Sequence, residues 1–507
     1  MKEIFVTTPI YYVNDIPHIG HAYTSIISDS ISRFFKLYEY DVKFLTGTDE
    51  HGLKVEKAAM KNKSNPQDYV DIISKNFLNL SQTLNLSNND FIRTTESRHK
   101  KSVKSFWQKL VENDQIYLDK YEGWYSIKDE TFYQEKELTK INGSFETSDG
   151  EKVEWVEEES YFFKLSKWQD KLLKLYKKNK NFVLPVSRKN EVVSFVKNGL
   201  KDLSISRTSF SWGIKVPEAE NHVIYVWIDA LTNYITSLGY PNINKCGLSL
   251  WKNSIHIIGK DILKFHAIYW PALLMAADLD PPKQIFAHGW WTNEGKKISK
   301  SLGNTINPVE IVKKFGLDQI RYFLLREITL GQDGDFSEKA LISRINADLS
   351  NNLGNLIQRT LKLNAKYFKN KFPFDLKKNQ EFEILEYGYK LLDEVDSNMR
   401  LFQINKALEN IWNFISRLNQ YIDKTEPWNL FKKNEVQTAI VLSEIIESIR
   451  LLGIILQPFI PESACKILDT LNIDKKQRGF DSFNKNNIMK KGVQLNEVKQ
   501  LFPRYNV

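Results

Sequence analysis

The sequence predicts an α/β protein: a parallel sheet split by an inserted α+β module and followed by an all-α helical bundle. Three observations carry this. The chain opens as strand, helix, strand. Between about 119 and 217 its texture turns to short aromatic and acidic stretches, and beyond Leu341 almost every run has helical spacing. At 507 residues a single core cannot organise the chain, so several domains are expected.

Ile4 to Ile10 is rich in β-branched residues and predicts the first strand. From Ile19 to about Leu37, Tyr23, Ile27, Phe34 and Tyr38 fall on one helical face, and Asp41 to Thr46 predicts the second strand. This βαβ opening is of Rossmann type, in which ligands bind beyond the carboxyl ends of the strands and helix N-termini favour phosphate. Turns such as Asn142-Gly143 and Asp149-Gly150 punctuate the insert. Strand-like runs return at 222–228, 254–258 and 284–287, with a helix after Lys260, to complete the sheet. Amphipathic runs over about 342–368, 381–397, 403–423 and 436–456, broken near Pro427 and Pro458, predict the bundle. The expected division is 1–118 and 219–285 for the two Rossmann halves, 119–218 for the insert, 286–340 for a lysine-loop region and 341–507 for the bundle.

The composition, 42% hydrophobic and 26% charged, is that of a soluble globular protein. A balance of 71 Lys+Arg against 62 Asp+Glu, net +9, suits a polyanionic partner, although solvated surface lysine gives the same excess. Cys246 and Cys465 are too few for a disulfide framework or a tetrahedral thiolate zinc site, which fits a reducing compartment. No apolar run reaches membrane-spanning length and a strand begins at once, so a cytoplasmic protein with no membrane partner is expected.

Two motifs carry chemistry. His18-Ile19-Gly20-His21 sits where the first strand region gives way to the helix, and imidazoles three residues apart at a helix start can address one phosphate. Lys297-Ile298-Ser299-Lys300-Ser301 follows the last sheet strand, between Gly295 and Gly303, so its two lysines can swing to the same nucleotide. Read singly, the histidines fit an ordinary surface and the lysines a solvated loop. Together they suit stabilisation of attack on the α-phosphate of ATP.

With both motifs in a split nucleotide-binding fold, the chain resembles the class I aminoacyl-tRNA synthetases. The segments TPIYYVND, FLTGTDEHG, YVWIDALTNYI, HIIGKDILKFHAIYWPALL and PWNLFKK extend the resemblance to methionyl-tRNA synthetases along almost the whole length. Ile298 stands where the family motif has Met, apolar for apolar. The resemblance implies a ligase that turns methionine and Mg-ATP (ATP with Mg2+) into methionyl-adenylate and pyrophosphate. The methionyl group would then pass to the 2′-hydroxyl of the terminal adenosine of tRNA(Met). His18, His21, Lys297 and Lys300 would be catalytic, with Gly20, Gly259, Asp261 and Ser299 also around ATP. Ile10, Tyr12, Trp227, Ala230, Leu231, Tyr234, Ile262, His266 and Trp270 would hold methionine, and Asp49 its α-amino group. Asn355 and Arg359, one helical turn apart, and Trp428 would read the CAU anticodon by base-edge hydrogen bonds and stacking. Singly, each aromatic fits ordinary core.

One departure stands out. Many relatives carry CxxC pairs in the insert and bind zinc there. Here Gly123-Trp124-Tyr125 leads into Ser126-Ile127-Lys128-Asp129, and the insert has no cysteine, so a zinc-free module held by aromatic packing is expected. A synthetase for Ile, Val or Leu would need a larger editing insertion. A cysteinyl enzyme would offer Cys and His zinc ligands in its pocket. A small nucleotidylyltransferase shares the histidine signature but has no use for the bundle. A passive RNA-binding protein would not need His18, His21, Lys297, Lys300 and Asp49 together. The chain ends soon after the bundle, and a monomer is expected.

Overall fold

Seven strands form one parallel sheet in the computed structural model. Its spatial order is Val183–Leu184, Gln284–His288, Ser254–Gly259, Glu3–Thr7, Asp41–Asp49 and Tyr11–Tyr12, with Asp90–Arg93 also pairing with Asp41–Asp49. Residues 2–506 are described except 14–15, 127–130, 134, 142, 149, 294, 298–304, 378–381 and 498. Tyr121, Thr131, Phe132, Lys136, 156–158, Lys296 and Lys297 are described through backbone alone. Setting aside the two-residue strands, chain order reverses between Glu3–Thr7 and Ser254–Gly259. A crevice at the carboxyl ends of those two strands is therefore the expected ligand site.

Alternation along the strands decides the layers. Ile4 and Val6 join a core with the helix Ile19–Leu37 and the C-terminal bundle, whereas Phe5 and Leu45 face a second core shared with the helices Ser97–Glu112 and Val226–Thr236. The first strand stops short of Ile10, just ahead of Pro9, which has no N–H for a ladder. Tyr11–Tyr12 then pairs on the far side of Asp41–Asp49. The first helix runs from Ile19 to Leu37 and buries Tyr23, Ile27 and Phe34.

Two segments depart from expectation. Ala219–Ile224 is a strand, but it pairs antiparallel with Ser206–Arg207 and Lys215–Val216 in a separate small sheet, and Val226–Thr236 is helical. The β-branched texture of Val226-Trp227-Ile228 yields to burial of a helical face bearing Ala230, Leu231 and Tyr234. The edge of the main sheet is instead extended by Val183–Leu184, from within the insert. Elsewhere the insert is built on a long antiparallel pair, Ile116–Ser126 with Glu154–Phe163, where Trp124 packs 4.5 Å from Phe145 and 5.2 Å from Trp155 between ring centres.

Beyond the sheet, Glu338–Arg344 continues through a π-helical stretch, Ile345–Gly354, into Asn355–Phe368. Glu383–Arg400, Ile404–Thr425, Glu435–Ile455 and Pro461–Thr470 complete the bundle. A buried arginine fastens it to the first helix. Arg321 meets Asp29 of the first helix at 2.7 Å and donates to the carbonyls of Phe459 and Pro458, each at 3.0 Å. Among the described residues, no helix is long and apolar enough to cross a membrane.

Candidate active site

A cleft of about 1430 Å³ opens at the reversal point of the sheet, lined on one side by His18, Gly20 and His21. His18 is the N-cap of the first helix. The Gly20 N–H donates to His18 Nδ1 and the His18 N–H donates to His21 Nδ1, each at 3.1 Å. The rings stack with centres 3.9 Å apart. A side chain at position 20 would press on the His18 ring, its Cβ only 3.0 Å from Cε1, so any residue larger than glycine would have to shift that ring by a few tenths of an ångström. Burial lowers the affinity of both imidazoles for protons. Asp261 partly offsets this at His18, and His18 reinforces it at His21. A neutral ring whose Nδ1 accepts carries its proton on Nε2, so the pair offers two neutral N–H donors.

Also on the cleft, Gly259 ends its strand and Asp261 is exposed in the following turn, where Trp290 Nε1–H donates to it at 3.0 Å. The strand Trp291–Asn293 contributes Trp291 and Thr292 to the cleft and pairs antiparallel with Lys296–Lys297, the start of the lysine segment. Ile298, Ser299 and Lys300 lie outside the described residues, and Lys297 is described only through its backbone. Just past the segment, the Ile306 carbonyl accepts the Ile19 N–H at 3.1 Å, tying this region to the start of the histidine helix.

The cleft is lined further by Ile10, Tyr12, Asp49, Trp227, Ala230, Leu231, Tyr234, Ile262 and His266. Trp270 does not line the cleft. It is fully buried one layer behind, against Phe106, Tyr234 and Trp251, and supports the wall without lining it. Nor is the His266 imidazole open to a thioether. Its Nδ1–H donates to the Ile262 carbonyl at 3.0 Å, and its Nε2 lies 2.7 Å from the Tyr234 hydroxyl, which donates to it. Sequence reasoning missed Phe265, which lines the cleft and stacks on Trp227 with centres 3.6 Å apart. It lies on the π-helical turn Phe265–Tyr269, whose wide turn puts adjacent Phe265 and His266 both on the cleft, a pattern α-helical spacing does not signal.

Burial also pushes His266 down to about 4 and lowers His256 and His288. These rings take up protons in the unfolded chain near 6.5 but resist them when folded. Their contribution is complete above that value and is lost as pH falls towards about 4. The midpoint of urea unfolding should therefore drop between about pH 7.5 and about pH 5, and His266→Gln should flatten that slope.

None of Asn355, Arg359 and Trp428 lines the cleft. Asn355 is exposed at the start of Asn355–Phe368. One turn on, the Arg359 guanidinium sits 4.7 Å from the centre of the Trp428 ring and pairs with Asp423 at 2.7 Å.

Residues 4–361 match the family model described as tRNA synthetases class I (M), and residues 377–506 match the anticodon binding domain of methionyl tRNA ligase. The methionine–tRNA ligase of Rickettsia felis is 53% identical over 505 residues, covering 99% of this chain and 98% of that protein. That of Brucella suis is 47% identical over 512 residues, covering 99% and 98%. A solved structure of Mycobacterium tuberculosis methionyl-tRNA synthetase in complex with methionyl-adenylate superposes with a TM-score of 0.96 at 43% identity, covering 99% of this chain and 100% of that one. The free-state structure of the same enzyme gives 0.88 at 42% identity, covering 100% and 99%. Sheet order, cleft and helical bundle thus agree with full-length sequence similarity, and the chain belongs to the methionyl-tRNA synthetase family of class I aminoacyl-tRNA synthetases.

Proposed function

We propose that this cleft activates methionine with Mg-ATP and passes the methionyl group to the 3′-terminal adenosine of tRNA(Met). One observation carries the reading: the His18–His21 pair, the Gly259–Asp261 turn and the Asp49–Trp227–Tyr234 side open on a single cleft. ATP lies with its triphosphate across the start of the first helix, where backbone N–H groups and the helix dipole favour phosphate. Its ribose and adenine lie towards Gly259 and Asp261. The methionine ammonium meets the Asp49 carboxylate, and the thioether lies among Ile10, Tyr12, Trp227, Ala230, Leu231 and Ile262. His266 acts through Tyr234, and Trp270 backs the wall.

A methionine carboxylate oxygen attacks the α-phosphorus, and the bond to pyrophosphate breaks as the new P–O bond forms. Charge grows on the phosphoryl oxygens, where the Nε2–H groups of His18 and His21 donate. No proton moves in this step, so its catalysis is positioning and charge stabilisation. The family motif assigns Lys297, Ser299 and Lys300 to the departing pyrophosphate, and the backbone path of Trp291–Asn293 into Lys296–Lys297 supports this for Lys297. The 2′-hydroxyl of the tRNA then attacks the methionyl carbonyl, the bond from that carbon to the phosphate oxygen breaks, and AMP leaves with the hydroxyl proton on its phosphate. Asn355, Arg359 and Trp428 read the anticodon.

Residues 1–118 and 219–285 build the catalytic fold, 119–218 the insert, 286–340 the lysine-loop region and 341–507 the anticodon-reading bundle. The insert works without zinc. Its lack of cysteine and the packing of Trp124 on Phe145 and Trp155 support that reading.

Pyrophosphate exchange tests the assignment. Exchange that depends on methionine is expected, and equal exchange with isoleucine, or none with methionine, would overturn it. Asp49→Asn should raise the methionine KM about tenfold with the ATP KM unchanged, because it removes a charge-assisted bond to the ammonium.

A further inference from the structure

The two sides of the amino-acid pocket stand on different elements. Asp49 ends the strand Asp41–Asp49, with His51 two residues on. Trp227, Ala230, Leu231 and Tyr234 project from the helix Val226–Thr236. Asp229, in the first turn of that helix, is fully buried. Its Oδ2 lies 2.6 Å from His51 Nδ1, and its Oδ1 lies 2.7 Å from Nε2 of His99 on the helix Ser97–Glu112. His99 Nδ1 in turn lies 3.2 Å from Thr236 Oγ1, near the end of the pocket helix. None of Asp229, His51 and His99 lines the cleft. Burial opposes ionisation of Asp229, yet the two imidazoles hold it down to about 2. A carboxylate taken so far from water is kept only where its partners fix it in place.

We propose that Asp229 is a positioning residue that sets the width of the methionine pocket by clamping, through His51, the Trp227–Tyr234 helix to the strand end bearing Asp49. The inference rests on the assignment of methionine to this pocket. A long unbranched side chain held by its ammonium at one end needs a fixed span to the wall at the other, and slack of about an ångström loosens the fit and admits longer side chains. The network has two arms with different duties. His51 joins the two sides of the pocket, whereas His99 joins the pocket helix to a helix on its far side. Asparagine at 229 offers one neutral acceptor and one donor where two charged acceptors stand now, so the bond to His51 is weakened or lost whichever way the amide turns.

Steady-state exchange kinetics and melting temperatures of Asp229→Asn, His51→Gln and His99→Gln test this. Asp229→Asn and His51→Gln should raise the methionine KM about tenfold, with kcat and the ATP KM within about twofold. Both should raise kcat/KM for ethionine, one methylene longer, relative to methionine. His99→Gln should lower the melting temperature and leave the methionine KM and the ethionine ratio in place. A purely structural role predicts that the two histidine variants behave alike, and that result, with both altered or neither, overturns the clamp. If Asp229→Asn does not fold, the histidine pair still decides. Asp49→Asn separates the two ideas. An unmoved methionine KM there removes the pocket assignment itself, whereas a raised one beside an unmoved His51→Gln removes only the clamp.

Discussion

Replacing His18 with serine should lower kcat for adenylate formation by about 100- to 1000-fold while the methionine KM stays within about twofold. The reason lies in the two jobs this residue holds. Its Nδ1 caps the first helix by accepting the Gly20 N–H, which leaves Nε2–H as the donor of a ring that lines the cleft. Serine is a strong N-cap and keeps the first job; it cannot reach the phosphoryl group and loses the second. His18→Ala loses both and should show the same kinetic deficit with about 1 kcal/mol less stability. Urea unfolding beside exchange kinetics separates the effects. Should His18→Ser raise the methionine KM and keep its kcat, the residue would be binding the amino acid rather than the transition state.

Trp428→Ala should leave pyrophosphate exchange untouched and reduce kcat/KM for charging tRNA(Met) roughly 30-fold, the effect of losing about 2 kcal/mol of base stacking. The ring is half-buried, and the Arg359 guanidinium lies against it while paired to Asp423. That arrangement presents an aromatic and a cation together, far along the chain from the histidine pair. Charging of a transcript with its CAU anticodon replaced makes the cycle complete. There the wild type and Trp428→Ala should converge, because the contact they differ in no longer exists. Equal losses in exchange and charging would assign Trp428 to stability of the bundle instead.

Much of the architecture is written in local spacing. The helix from Ile19 to Leu37, the alternation of Ile4 and Val6 against Phe5, and the long amphipathic runs after Leu341 follow from side-chain periodicity, which fixes the faces an element has. The two motifs were legible for the same reason, since each needs only neighbours in the chain. What periodicity does not contain is the identity of whatever covers a face. Spacing does not tell that Phe106, Tyr234 and Trp251 surround Trp270, and Val226–Ile228 looks like a strand until its helix is buried. The tautomers of His18 and His21, the Tyr234–His266 bond, the seat of Arg359 on Trp428 and the Asp229 clamp all join partners remote in sequence or depend on backbone closure in space. Local sequence can dictate a residue's direction; only the assembled chain decides whether it meets core, water or substrate.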